Sequence, residues 1–365
     1  MNFISLFLQS KIRFMSKFKA LKVAEVRKET ASAISILFEV PAELKDTFTF
    51  LPGQYVTLKL DIEGKEIRRS YSICAAPHEN ELRVAVKAVK NGVFSNYALN
   101  SLKAGDIIEV APPEGKFSIT SATSHQRNYM AFAAGSGITP VISMIKDVLY
   151  KETHAKFILI YGNKSEEDTI FHSEIKMLQE KYPDRFMVHF LYSQKITGDA
   201  ILGRIDRSIV NLMLKNKYKD IDFFGFYLCG PEAMIEIVSE VIKENKQPAS
   251  KIHYELFTPS YTSGAVTTRT LEGEAEVTVI LDDEEYNFSM SKKKYLLTGA
   301  IDEDLDPPYS CQGGICSSCI AKVTEGEAVM DKNAILTENE IADGLILTCQ
   351  AHPKSDKITI DFDDV

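Results

Sequence analysis

No stretch of the sequence approaches the roughly 18 consecutive apolar residues that a membrane-spanning helix needs, so no such helix is expected. Internal repeats and low-complexity tracts are also missing, which excludes solenoid, fibrous and disordered architectures. There is no excess of basic residues: 42 Lys and Arg stand against 51 Asp and Glu, a formal net charge of −9. That argues against a protein whose main partner is nucleic-acid phosphate. The N-terminus lacks the order of a secretory signal, because in MNFISLFLQSKIRF the positive charges follow the apolar run and no small-residue cleavage site comes after. Residues 1–15 are expected to be an N-terminal extension, with Met15 read as a natural start; a short membrane-surface helix is the other reading.

What is present is ordinary globular material, 45% hydrophobic and 25% charged, and 365 residues suggest two or three domains. Charge is unevenly spread. Residues 274–365 hold 20 acidic against 7 basic side chains, a net of −13, whereas residues 1–273 carry +4. The six cysteines are uneven too: Cys74 and Cys229 are isolated, and Cys311, Cys316, Cys319 and Cys349 fall in the last quarter. Without a secretory signal, a reducing cytoplasm is expected, and clustered cysteines there point to metal rather than disulfides.

Texture along the chain divides it further. Residues 16–122 alternate short apolar–polar strands (ISILFEV, QYVTLKL, IRRSYSI, LRVAVKAV) with Pro, Gly and Asn turns, the pattern of an antiparallel β-barrel. Residues 123–257 alternate strands with helices, which predicts an α/β domain with a parallel sheet. Residues 258–273 are polar, rich in Gly, Ser and Thr and without period, and read as a linker. Residues 274–365 open with a hairpin and then carry the four cysteines.

The spacing Cys311-x4-Cys316-x2-Cys319, followed by 29 residues and Cys349, is that of a plant-type 2Fe-2S site. Such a loop must be slim so that backbone N–H groups can approach the sulfurs, and Gly313, Gly314, Ser317 and Ser318 supply this. The rivals are four unrelated buried cysteines or a four-thiolate zinc site. Structural zinc uses two short hooks, and Cys349 has no near partner to form the second.

Gly135-Ser136-Gly137-Ile138-Thr139-Pro140 follows an apolar strand and opens a helix, where a diphosphate can approach the backbone. A bare strand-to-helix turn would look the same. Cys229-Gly230-Pro231 ends a later strand at the same expected sheet edge, the place where α/β ligands bind; an inert buried Cys229 is the alternative. Arg69-Ser70-Tyr71-Ser72 lies on a barrel strand and gains meaning from Gly92-Val93-Phe94-Ser95, which follows at a distance suited to a second phosphate contact. Cys74, on an apolar strand, reads as core.

These strings, in this order and together with YGN, CGPEAM and LTCQAHP, resemble the ferredoxin–NADP reductase superfamily with a C-terminal plant-type ferredoxin domain. The resemblance implies three domains: an FAD-binding β-barrel, an NAD(P)-binding α/β domain and a β-grasp-like α+β ferredoxin domain. It implies that Arg69 and Ser70 bind flavin, that Tyr71 stacks on the isoalloxazine and that Ser72 hydrogen-bonds near its reactive nitrogen. Gly92 to Ser95 would hold the flavin diphosphate and Gly135 to Pro140 that of the nicotinamide cofactor, with Thr139 nearest the nicotinamide and Cys229, Gly230 and Pro231 beside it. Glu255 and Phe257 match residues that close over the flavin in relatives. In one departure, Asn91 stands where much of the superfamily has the first Gly of G-G-x-x-S.

By the same resemblance FAD is expected over FMN, and electrons pass from nicotinamide through flavin and cluster to a separate oxygenase. The reductase of another hydroxylase or dioxygenase, and a redox sensor or non-enzymatic carrier, are the rival readings. After the strand ending at Ser193, no acidic side chain stands at Gln194 or Lys195 to hold a ribose 2′-hydroxyl. Ser193, Lys195 and Arg204 suit a 2′-phosphate instead, so NADPH is expected over NADH. The acidic face at Asp302, Glu303, Asp304 and Asp306 is expected to dock a basic patch on the acceptor. The seven histidines are scattered, with no oxygen-activating ligand spacing.

Overall fold

A computed structural model describes residues 17–121, 123, 126–257 and 271–365. The expected N-terminal extension and most of the expected linker lie outside the described residues.

The first unit is an antiparallel sheet of β1 (Lys19–Thr30), β2 (Ala33–Glu39), β3 (Tyr55–Ile62), β4 (Lys65–Ser72), β5 (Leu82–Lys87) and β6 (Ile107–Val110), with helix α1 (Val93–Asn100). The strand order is β4-β3-β6-β1-β2-β5. Beyond β4 the chain turns onto β5 through a bridge between Ile73 and Val84, and Cys74 N–H donates to Arg83 O at 2.8 Å. These contacts join the two edges and make the sheet a barrel. Alternation supplies its interior: Leu21, Val23, Ile36, Val56, Leu58, Val84, Ile108 and Val110 are fully enclosed. Cys74 belongs to the core, where burial pushes its thiol up to about 12.

The second unit contains β7 (Asn128–Ala134), α2 (Ile138–Lys151), β8 (Lys156–Asn163), α3 (His172–Lys181), β9 (Phe186–Tyr192), β10 (Ile201–Leu202), α4 (Arg207–Asn211), β11 (Gly225–Gly230), α5 (Glu232–Glu244) and β12 (Ile252–Leu256). All six strands are parallel, in the order β10-β9-β8-β7-β11-β12. Order reverses between β7 and β11, which opens a crevice at the carboxyl ends of those two strands. Apolar strands such as FILIY and FYLC are buried on both faces, as a helix-covered parallel sheet requires.

The third unit contains β13 (Glu274–Leu281), β14 (Glu284–Ser291), α6 (Leu296–Asp302), β15 (Ile320–Glu325), β16 (Ala328–Met330), α7 (Glu338–Ala342), β17 (Leu345–Leu347), β18 (Ala351–Pro353) and β19 (Lys357–Asp361). Its mixed sheet runs β14-β13-β19-β15-β17, with β16 paired to β18 alongside. The β13–β14 hairpin turns on Asp282 and Asp283, both left-handed (φ 55° and 61°), and the Asp363 carboxylate accepts both of their N–H groups. Residues 303–319, between α6 and β15, form the cysteine loop.

Candidate functional site

The barrel's edge strand β4 presents different chemistry on its two faces. Opposed residues of β3 and β4 share a face, so Arg69 and Tyr71 lie with Leu58 and Val56, while Arg68, Ser70 and Ser72 lie with Lys59, Thr57 and Tyr55. On the first face Tyr71 packs 5.4 Å from Phe94 of α1, and exposed Arg69 projects at the sheet edge. The string Gly92 to Ser95, read from sequence as a phosphate contact, is the start of α1 with Gly92 as its N-cap. A Cβ on Gly92 would stand 2.4 Å from Ser95 Oγ and 2.6 Å from Val89 Cγ2. Asn91 has φ 64°, the left-handed conformation that Asn tolerates best after Gly, which accounts for its replacing the family's glycine. Free N–H groups at the start of α1 and the Arg69 guanidinium therefore fit an anionic diphosphate. Ser70, expected at the flavin, lies on the other face: its Oγ is 3.3 Å from Thr57 Oγ1 and 2.6 Å from Ser310 Oγ of the third unit.

At the crevice the ends of β7 and β11 nearly touch. A Cβ on Gly137 would lie 2.0 Å from the Cys229 carbonyl oxygen, so only glycine lets the turn sit there. Gly135 has φ 54°, and its carbonyl accepts from the Tyr161 hydroxyl at 2.9 Å. Thr139 is buried, its hydroxyl donating to Ser136 O at 3.0 Å; Ile138 and Pro140 are buried in α2. Cys229 is fully buried, which pushes its thiol well up, and it pairs in register with Glu255 on β12. Ser72 Oγ donates to Glu255 Oε2 at 3.3 Å, and burial pushes the Glu255 carboxyl up to about 8 against that hydrogen bond. Phe257 packs against the core beneath the crevice. Ser193 Oγ donates to Asn163 O at 3.3 Å, Lys195 is paired with the Glu167 carboxylate, and exposed Arg204 has no partner among the described residues.

The four clustered cysteines converge. The thiol of Cys311 interacts with those of Cys316 and Cys349, and that of Cys319 with Cys349. Hydrogen bonds from the neighbouring thiols and from the Gly313 and Ile315 N–H groups hold Cys311 well below the ordinary thiol range; Gly313 N lies 3.3 Å from its sulfur. Gly314 is left-handed at φ 70°, and a Cβ there would crowd Gln350 Cγ and Lys332 O at 3.0 and 3.1 Å. Three thiols from a backbone-lined loop and a fourth, Cys349, brought to them from the turn between β17 and β18 fit a 2Fe-2S cluster.

That loop is seated on the barrel's outer face. Tyr55, 4% exposed, places its hydroxyl 3.0 Å from Ser317 Oγ and 3.1 Å from Ser318 Oγ. Ser318 also donates to Glu114 at 3.3 Å, and Lys116 pairs with Glu340. Ile315 packs into the core of the second unit. Between the three units lies a cavity of about 300 Å³, lined among others by Tyr55, Phe117, Tyr254, Glu255, Ile315 and Cys316. Tyr55, Arg68 and Glu114 carry no motif and were not legible as site residues. The available signal was the strict alternation of β4, which sends every second residue of Arg68 to Ser72 away from Tyr71.

Residues 20–119 match the oxidoreductase FAD-binding domain family, residues 132–240 the oxidoreductase NAD-binding domain family, and residues 279–354 the 2Fe-2S iron–sulfur cluster binding domain family. Three such domains in this order define a flavin- and iron–sulfur-dependent oxidoreductase. The chain belongs to the family of FAD-, NAD- and 2Fe-2S-containing reductase components of oxygenases. It is 35% identical over 359 residues to one of the subunits of 1,2-phenylacetyl-CoA epoxidase from Escherichia coli K12, covering 96% of this chain and 99% of that protein. It is 33% identical to the ferredoxin reductase component of 3-ketosteroid-9-alpha-monooxygenase from Rhodococcus rhodochrous, over 94% of this chain and 96% of that one. The solved structure of phthalate dioxygenase reductase has the same fold, with a TM-score of 0.58 and 22% identity, over 94% of this chain and 98% of that one.

Proposed function

We propose that this reductase serves an oxygenase of the phenylacetyl-CoA epoxidase type, with NADPH as its preferred donor and Cys311, Cys316, Cys319 and Cys349 as the cluster ligands. The observation that carries the route is the seating of the cysteine loop, through Ser310, Ser317 and Ser318, on the strand pair that bears the flavin motif. Bound here, FAD would supply conversion of a two-electron hydride donor into single electrons, and a plant-type cluster, with a potential of about −400 mV, would supply a one-electron acceptor.

The chain's own residues arrange the rest. Arg69 and the N-terminus of α1 bind the flavin diphosphate, and Tyr71, braced by Phe94, supplies a flat apolar wall. Ser72 and Glu255 form a hydrogen-bonded pair at the crevice. With its carboxyl pushed up to about 8, Glu255 holds a proton at neutral pH and can exchange hydrogen-bond roles with Ser72. Gly137 and Cys229 keep two strand ends in contact so that the turn from Gly135 to Pro140 faces the dinucleotide diphosphate. Ser193, Lys195 and Arg204 form the 2′-phosphate subsite, in which Lys195 exchanges Glu167 for the phosphate.

Identity of 35% over almost the whole length of both chains supports the choice of acceptor. Asp302, bonded to Lys294, and the exposed Glu303 and Asp304 make up the outward acidic face for that partner. Asp306 is withdrawn from it, because its carboxylate is bonded to Arg68. The test is reconstitution: purified reductase, NADPH, phenylacetyl-CoA and the catalytic components of the epoxidase should yield the epoxide. Failure there, with sustained reduction of ferricyanide, would assign the reductase to a different oxygenase.

A further inference from the structure

Arg68, the residue before the flavin motif, has no part in the chemistry above, yet it is a buried charged contact of the barrel with the third unit. It is 5% exposed. Its Nη2 donates to the Asp306 carboxylate and its Nε to Glu66 Oε1 at 2.7 Å. The guanidinium carbon lies 4.4 Å from the centre of the Tyr309 ring and 5.1 Å from that of Phe18. Asp306 and Tyr309 belong to the segment that leads directly into Cys311, and Ser310, between Tyr309 and Cys311, meets Ser70 on the same face of β4.

A planar guanidinium held between two rings and two carboxylates has one orientation, which a point-charge lysine would not reproduce. The hydroxyl contacts of Tyr55 hold the loop at Ser317 and Ser318, whereas its front, residues 306–310, is held by Arg68 and by the contact of Ser70 with Ser310. We infer that Arg68 is a positioning residue for electron transfer. It locks residues 306–310, and so the cysteine loop, against one face of a strand whose other face carries Arg69 and Tyr71. Electron transfer falls steeply with separation, so loss of this lock acts on cluster reduction and spares hydride transfer. The inference deepens the route proposed above and rests on it.

The experiment compares Arg68→Met, Arg68→Lys and Asp306→Ala holoenzymes with the parent. Met retains the packing between the rings, and the side chain of Asp306 is mostly exposed, so these variants should fold. In single-turnover absorbance traces with NADPH, flavin reduction should stay within about twofold of the parent. Cluster reduction should slow at least tenfold in Arg68→Met and less in Arg68→Lys. The double variant Arg68→Met/Asp306→Ala should be no slower than Arg68→Met, because both remove one contact. Amide exchange over residues 306–319 of the oxidised protein should quicken in each variant, a reading that does not depend on turnover. Unchanged cluster reduction in Arg68→Met and Asp306→Ala would overturn the inference, as would slowed reduction without faster exchange. If the parent itself shows no cluster reduction after flavin reduction, the route falls, and the exchange result still decides whether Arg68 is the lock.

Discussion

At the crevice between β7 and β11 backbone meets backbone, and at the seat of the cysteine loop side chain meets side chain. The first needs residues with nothing to offer: a Cβ on Gly137 would stand 2.0 Å from the Cys229 carbonyl oxygen, and Gly135 turns left-handed. The second needs residues with specific hydroxyls and charges: Tyr55 on Ser317 and Ser318, Ser70 on Ser310, Arg68 on Asp306. A strand-to-helix turn of a kind common to many α/β folds is written in glycine spacing. A contact between two modules of one chain is written in individual polar side chains that no general pattern records. The two should therefore fail differently, one through lost geometry and the other through lost register.

The largest effect is expected where the comparison has no counterpart on the crevice side, at the cluster itself. Cys349→Ser should abolish or markedly alter the cluster's visible absorption while flavin content is retained. A normal spectrum and full iron content in that variant would remove Cys349 as a ligand.

Gly137→Ala tests the crevice. Its φ is −61°, which any residue adopts, so the cost is steric alone: the new methyl group forces β7 and β11 apart. NADPH-driven flavin reduction should fall about a hundredfold, roughly 2.7 kcal/mol of lost transition-state stabilisation, with bound FAD unchanged. A variant at full rate would show that the strand ends can separate without consequence, and the contrast with the dock would collapse.

A smaller effect follows from Glu255. Burial raises its folded value from 4.5 to about 8, so the folded protein holds a proton that the unfolded chain has released above pH 4.5. Stability from this group is therefore undiminished below about pH 4.5, declines as pH rises toward 8 and levels off above it. Thermal midpoints should fall over that window in the parent, and the part due to Glu255 should be missing in Glu255→Gln. Flavin reduction should slow a few-fold above pH 8 in the parent, as ionised Glu255 draws the Ser72 hydroxyl to itself. A pH profile identical in both proteins would separate Glu255 from the hydride step.

The smallest effect concerns the donor. Lys195→Glu should lower catalytic efficiency with NADPH about twofold, as expected for one exposed charge contact, and leave NADH nearly untouched. Equal use of both donors by the parent would mean that Ser193, Lys195 and Arg204 do not form a 2′-phosphate subsite.

These contrasts also explain what was readable in the chain. The three-part division, the parallel sheet from β7 to β12 and the cysteine loop could be read because periodicity and spacing are local. The string Arg69 to Ser72 was readable as a unit, but its division into two faces was not, since Ser70 finds its partner 240 residues away. Asp306 read as surface charge for an outside partner, because nothing local says that Arg68 will meet it. Asn91 looked like a defect in a glycine motif until its φ of 64° showed the same backbone made by a different residue.

The cysteine loop meets the barrel as part of the same chain, and that changes how strong the seat must be. Two proteins in free solution would need a tight interface to stay paired at cellular concentrations. As parts of one chain, the two partners search a small shared volume, in which the effective concentration is about 1 mM for closely joined modules. An association with Kd near 0.1 mM would then stand about nine-tenths formed. At such a concentration a handful of hydroxyls and two ion pairs, Arg68 with Asp306 and Lys116 with Glu340, are enough to keep the pair together.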